Sequence, residues 1–343
     1  MSKSILRYKA DYRTMAFIAV YFVVAYSSFL YFDTVLANYG WGAIAAWSFL
    51  TCVLSFLCAV IVHNTIHCPI FYKKSHNKLF QFVLSLAYGY SVSAYVPGHN
   101  FSHHKETQNA KDAMRTSKAR FKWHLLNQLL FFFIVTGAIM ESEKKWTAKM
   151  KVEKKAWYNQ WRAEMILVHA IKIAALFVNP WAAVLFLWLP HIYGAWGVVS
   201  TNIWQHDGCD QEDKYNHSRT FTGKILNYLT MNNGYHGAHH ERPSLHWSLL
   251  PAYHEQNIEP YIHRNLSLNN FPLYLFKSYI YPGKRLNYDG TPYILEDAVP
   301  DEDWVADISL SDRRHAYDMG AEASTVEEIL QTDDIAEDKH AMY

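Results

Sequence analysis

The chain has little cysteine, and what it has is not arranged for crosslinks. Cys52, Cys58, Cys68 and Cys209 include no Cys-x-x-Cys pair. Two of them fall inside a long apolar run, so they read as reduced packing residues, and neither a disulfide framework nor a zinc knuckle is expected. A secretory leader is not expected either. The first apolar run is much longer than the roughly 7–15 residues of a leader's apolar region and lacks a small-residue cleavage site, so it is expected to stay as a membrane anchor. Neither an internal repeat nor a low-complexity tract is present. The most informative absence is of charge. Residues 41–62 and 181–203 contain no Asp, Glu, Lys or Arg, and residues 14–36 contain only Asp33.

Half of the residues are apolar, and they are bunched rather than spread. A bilayer is crossed by about 20 predominantly apolar residues, so residues 14–36, 41–62 and 181–203 are expected to span. Residues 163–179 form a shorter fourth candidate that carries Glu164, His169 and Lys172. Lys3, Arg7, Lys9 and Arg13 precede the first run, whereas the connections at Ala37–Gly40 and Asn179–Pro180 hold no Lys or Arg. The excess of positive charge on cytoplasmic loops then puts the N-terminus, the central loop and the C-terminal region in the cytoplasm. Two further apolar stretches, 79–97 and 121–140, are expected to lie in the interface with an apolar face down. Were 79–97 to cross, the histidine clusters on either side of it would be separated by the bilayer. Were 121–140 to cross, the Lys144 to Lys155 run would face outward. The expected fold is an all-α integral membrane protein: four transmembrane helices in two hairpins, with a cytoplasmic helical cap. Residues 1–295 form the membrane domain and 296–343 an acidic, soluble, partly disordered tail.

Charge is divided along the chain. From His63 to Arg162 there are sixteen Lys and Arg against five Asp and Glu, and from Trp204 to Tyr343 eleven against twenty-three. The basic stretch suits anionic headgroups, or the docking of an acidic electron donor that must be steered to its site.

Nine of the 19 histidines fall in four short clusters. They are His63/His67, His99/His103/His104, the single His206, and His236/His239/His240, each following an apolar segment directly or after a short stretch. Residues four apart on a helix share a face, so His63 and His67 make a two-ligand pair. Neighbours diverge by about 100° around a helix. His103 and His104, like His239 and His240, therefore most easily address two separate ions. Nine imidazoles exceed what one tetrahedral zinc uses. They suit two ions of four or five ligands each, and nitrogen-rich coordination leaves iron, zinc, copper and nickel open.

The series His-x-x-x-His, His-x-x-x-His-His and His-x-x-His-His, with Asn-x-x-x-His before the last box, resembles the membrane fatty acid desaturase superfamily and its hydroxylase relatives over roughly residues 14–260. The resemblance implies a non-haem di-iron centre that uses O₂ as co-substrate to remove hydrogen from an unactivated C–H bond with two external electrons. It makes His63, His67, His99, His103, His104, His206, His236, His239 and His240 iron ligands, and gives Asn202 a metal contact through water. Carboxylates that orient such ligands through the second ring nitrogen are expected; Asp112, Asp207, Asp210 and Glu241 are nearest in sequence. His169 and His191, inside expected spans, are expected to be hydrogen-bonded interior residues. Lys172 is expected to snorkel, and Pro190-His191 to kink the last span.

The resemblance implies a fatty acyl desaturase acting on a lipid or fatty acyl substrate. With no His-Pro-Gly-Gly haem segment, flavin motif or iron–sulfur motif in the sequence, a ferredoxin-like or cytochrome-b-type donor would have to come from outside. The alternative on the same scaffold is a hydroxylase of a lipid, alkane or carotenoid; Asn202-x-x-Gln205-His206 also resembles alkane hydroxylases, which carry an acid at the position of Gln205. A membrane metal transporter or sensor is a remote third reading, because transporters bind ions near the bilayer midplane and these clusters sit at helix ends.

Overall fold

The computed structural model describes residues 5–309, and the chain is mostly helical. In chain order the principal helices are α1 (Asp11–Leu30), α2 (Phe32–His67), α3 (Lys74–Tyr88), α4 (Val92–Val96), α5 (His124–Glu153), α6 (Lys155–Val178), α7 (Pro180–Ala183), α8 (Leu189–His206), α9 (Lys224–Leu229), α10 (His236–Glu241) and α11 (Leu250–Asn257). Contacts divide the described residues into two compact units, one of residues 5–95 plus 150–198, the other of 96–149 plus 199–309.

Among the described residues, four helical stretches are long and apolar enough to cross a bilayer: 11–30, 32–67, 124–153 and 180–206. Three match the expected spans. The first is shorter than expected at its C-terminal end, stopping at Leu30, and Gly40 interrupts α2 with φ +73°. The fourth differs. The apolar stretch 121–140 belongs to α5, which meets the length and composition requirement, while 163–179 belongs to α6, which does not because Arg162, Glu164 and Lys172 fall within it.

In the first unit, two charged residues of α6 are internal. Glu164 and Lys172 are both buried, and each holds one side of a break. Helix α3 ends at Gly89 with φ +83°, and the path turns by 85° before continuing from Val92. The stretch 79–97 is thus two helices rather than one. Glu164 accepts hydrogen bonds from Ser91 Oγ (2.7 Å), Ser93 N–H (3.0 Å), Ser93 Oγ (3.1 Å) and Gln160 Nε2 (2.8 Å). Lys172 Nζ donates to the Gly89 carbonyl at 2.8 Å. A carboxylate thus faces the start of α4 and an ammonium the end of α3, the signs that the helix dipoles favour. Lys172 is therefore held inside the unit, where snorkelling was expected. A side chain at Gly89 has no room, since its Cβ would lie 2.0 Å from His191 Cγ.

Helices α2 and α8 approach closely. Cβ atoms at Gly194 and Gly197 would meet Ser55 Oγ at 2.9 Å and the Phe56 ring at 2.5 Å. Close packing at small residues is how apolar helices associate where lipid removes the hydrophobic drive. Pro190 has no N–H for the carbonyl one turn earlier, and the helix widens to a π turn over Val184–Trp188 just before it. That relieves the proline's clash with the preceding turn.

The second unit packs α5 and the end of α8 around Met114, Ala119, Phe131, Val135, Ile203 and Tyr279. Removing each larger side chain of that core from water is worth about 1.5–3 kcal/mol. A pair of two-residue parallel strands, Thr220–Phe221 with Ser267–Leu268, ties two loops of this unit together. Arg285 forks onto Asp207, with Nε at 2.8 Å and Nη2 at 2.5 Å.

The acidic segment after residue 296 departs from expectation where it is described. Trp304, Val305 and Ile308 are buried, and Asp301, Asp303 and Asp307 pair with cations of the basic stretch. Apolar anchors and ion pairs outweigh the local acidity. Residues 310–343 of the expected tail lie outside the described residues.

Candidate metal centre

The first histidine pair ends α2. His63 and His67 are buried one turn apart, with ring centroids 5.6 Å from each other. His63 Nδ1 lies 3.1 Å from Asn64 Oδ1, which fixes the ring plane.

The other seven belong to the second unit, and the local helix type sorts them. Residues Pro97–His103 form a π turn, and the His104 N–H reaches back five residues to the His99 carbonyl at 2.9 Å. With a wider turn, His104 rather than His103 lies over His99. Their Nε2 atoms are 3.1 Å apart, and His239 Nε2 is 3.1 Å from that of His104. His103 points elsewhere. One ring nitrogen from each of His103, His206, His236 and His240 lies within 4.8 Å of the others. His206 and His236 approach to 2.8 Å between Nε2 atoms. The adjacent pairs His103/His104 and His239/His240 are each split between the two groups, as divergence around a helix requires.

Second partners orient two rings of the four-histidine group. His103 Nδ1 donates to Asp112 Oδ2 at 3.0 Å, and Asp112 is wholly buried. Asp112 also accepts the N–H of Gln108 (2.9 Å) and of Met114 (2.8 Å). His206 Nδ1 donates to the His217 carbonyl at 3.1 Å. In both rings this puts the proton on Nδ1 and leaves the Nε2 lone pair for a ligand.

The donor set fits metal ions. Nitrogens coordinating one ion at about 2.1 Å stand roughly 3.0–3.4 Å apart at angles between 90° and tetrahedral; the separations of 3.1 Å in the first group fall in that range. Three like nitrogens converging on one point have too few acceptors to satisfy one another. His240 Nε2 is buried without a hydrogen-bond partner among the described residues. Burial, then His104, His236, His206 and His103, holds the His240 pKa well below its usual value. Such a ring stays neutral, the form that ligates.

Other residues singled out from sequence have different places. Asn202 gives its Nδ2 to the Met114 carbonyl at 2.6 Å, bracing the loop that carries Asp112. Of the four carboxylates considered, Asp112 meets a cluster histidine. Asp207 takes Arg285, Asp210 accepts the Glu212 N–H in a turn, and Glu241 pairs with Lys214 at 2.9 Å. His191 Nε2 bonds the Tyr21 hydroxyl at 2.7 Å in the interior, as expected, whereas His169 is half-buried and its Nδ1 bonds the Met165 carbonyl of its own helix at 2.8 Å. The His217 carbonyl and the two ends of the α3–α4 break had no sequence signal, because backbone groups do not show in side-chain patterns.

Residues 39–270 match the sequence model of a family described as fatty acid desaturase. A comparison with curated proteins gave no match.

Proposed function

Since the chain belongs to the fatty acid desaturase family and has helices apolar enough to cross a bilayer, we propose that this membrane protein is an oxygen-dependent di-iron desaturase that puts a double bond into the aliphatic chain of a lipid. Within the second unit, His99, His104 and His239 would hold one ion and His103, His206, His236 and His240 the other; the family resemblance makes His63 and His67 ligands as well. Asn202 would reach the site only through water. Iron, when bound, supplies O₂ activation and hydrogen abstraction at an unactivated carbon. The observation that carries this reading is the division of the histidines into two convergent sets by a π turn.

The remaining work belongs to the chain. Asp112 and the His217 carbonyl keep His103 and His206 in the tautomer that binds metal. Burial excludes bulk water from the sets and keeps His240 neutral. The protein selects the reacting methylene by holding it near the metals, since positioning governs which bond reacts.

For topology we propose that α1, α2, α6 and the stretch through α8 span as two hairpins, with the metal centre cytoplasmic. Helix α6 hides Glu164 and Lys172 inside its own unit, so those two charges are spared contact with lipid, and its exposed Lys155 and Arg162 lie in its N-terminal part. Helix α5 would lie along the interface, which keeps Lys144, Lys145 and Lys149 on the cytoplasmic side. An external donor, ferredoxin-like or cytochrome-b-type, would supply the two electrons.

Expression in a host of known lipid profile, followed by mass spectrometry of total lipids, tests the reading. A loss of 2 mass units, abolished by His239→Ala, is the expected result. A gain of 16 would make the protein a hydroxylase instead, and no change with reductant and O₂ supplied would reject both.

A further inference from the structure

The acidic segment that follows the cap helices is bound along the basic surface as a strap. Asp301 pairs with Arg115 and, at 2.8 Å, with Lys118; Asp303 pairs with Lys145 at 3.1 Å, and Asp307 with Lys111. Backbone groups join in. The Glu302 N–H donates to the Ala110 carbonyl at 2.9 Å, and the carbonyls of Val299 and Val305 accept from Arg115 (2.5 Å) and Lys149 (3.0 Å). Trp304 is 2% exposed and stacks against the fully buried Trp146, ring centroids 5.9 Å apart.

Most of these contacts fall on one short loop. Ala110, Lys111, Arg115 and Lys118 surround Asp112, the carboxylate that takes His103 Nδ1. On its other side the same loop is sewn to the second histidine box. Ser102 Oγ donates to the Lys111 carbonyl (2.9 Å) and accepts the Ala113 N–H (2.9 Å). Exposed ion pairs contribute little on their own, but Arg115 is buried. Losing a counterion from a buried guanidinium leaves a charge that must move toward water, and the loop would move with it.

We propose that residues 299–308 position the metal centre, with Trp304 and Asp301 holding the 110–118 loop where Asp112 orients His103. This rests on the reading of His103 as a metal ligand. It also explains why an acidic segment folds back onto this surface: the strap neutralises the loop's cations while its tryptophan fixes the loop's height over Trp146. Neither Trp304 nor Asp301 touches the reacting atoms, so both are positioning residues.

The test uses the full chain in detergent, loaded anaerobically with Fe(II), or with Co(II) as a spectroscopic probe. Metal per chain and its loss to a chelator are measured beside helix content. The expected result is that Trp304→Ala and Asp301→Asn each weaken retention of one ion about 10-fold, the scale for disturbing a ligand's outer partner. The other ion stays, and the Co(II) visible spectrum shifts. Trp304→Phe should restore retention, and Trp304→Ala added to Asp112→Asn should cost little beyond Asp112→Asn alone. If folded Trp304→Ala and Asp301→Asn proteins keep both ions as tightly as the unmodified chain, or lose both together, the proposal is overturned. Should Trp304→Ala fail to fold, Asp301→Asn decides by the same criterion. An unmodified chain that binds neither ion would overturn the metal reading, and the strap's role with it.

Discussion

Replacing Asp112 with asparagine changes one atom and removes one charge at a wholly buried position. The carboxylate accepts three hydrogen bonds, from His103 Nδ1 and the N–H groups of Gln108 and Met114. An amide offers one acceptor oxygen, and its NH₂ must face a donor. Orienting the NH₂ toward a backbone N–H leaves that donor unsatisfied, at about 1–3 kcal/mol. Orienting it toward His103 forces the proton onto Nε2 and removes the lone pair that would ligate. Loss of such an outer partner lowers metal affinity about 10–100-fold, or about 1.4–2.8 kcal/mol at 1.4 kcal/mol per decade. The assay is chelator competition on the metal-loaded protein with metal content read by mass spectrometry, alongside thermal unfolding. One ion of two should be lost at about a tenth of the chelator concentration that strips the unmodified chain, or less. Retention of both ions at unchanged affinity, with only the unfolding temperature lowered, would refute the orienting role and leave Asp112 as a loop brace.

Gly89→Ala should destabilise by about 2–5 kcal/mol: roughly 1–2 for an alanine in the left-handed region plus about 1–3 for crowding His191. Thermal unfolding in detergent reads this, and a change under about 0.5 kcal/mol would mean that the break is looser than described. A cysteine placed at Lys149, at the end of α5, should react with a membrane-impermeant maleimide only when the cytoplasmic face is open to the reagent; labelling from the far side of sealed vesicles would show that α5 crosses and that the interfacial assignment is wrong.

Much of the site was legible because metal ligands must be specific side chains. His63/His67, His99/His103/His104, His206 and His236/His239/His240 stand out by type and spacing, and helical divergence alone separates His103 from His104. Asp112 was one of four carboxylates near the clusters, and sequence distance gave no means of choosing it. The choice depends on a loop that turns back on the π turn, where Ser102 bonds Lys111 and Ala113. The acidic strap was misread for a related reason. Its composition resembles a solvated tail until Trp304 finds Trp146 and three aspartates find cations more than 150 residues away.

Sequence by itself determined the membrane class, the number of clusters and the donor atoms, since long uncharged runs and repeated imidazoles act through local chemistry that needs no tertiary context. Tertiary structure decided what depends on backbone geometry and on distant partners. It made the second box a π turn, which pairs His99 with His104 rather than His103. It also turned Glu164 and Lys172 of α6 inward, where they hold the ends of a break. A hydrogen bond five residues back, or an ammonium on a carbonyl 83 positions away, leaves no trace in a periodic pattern, because the groups it satisfies are backbone atoms that every residue carries.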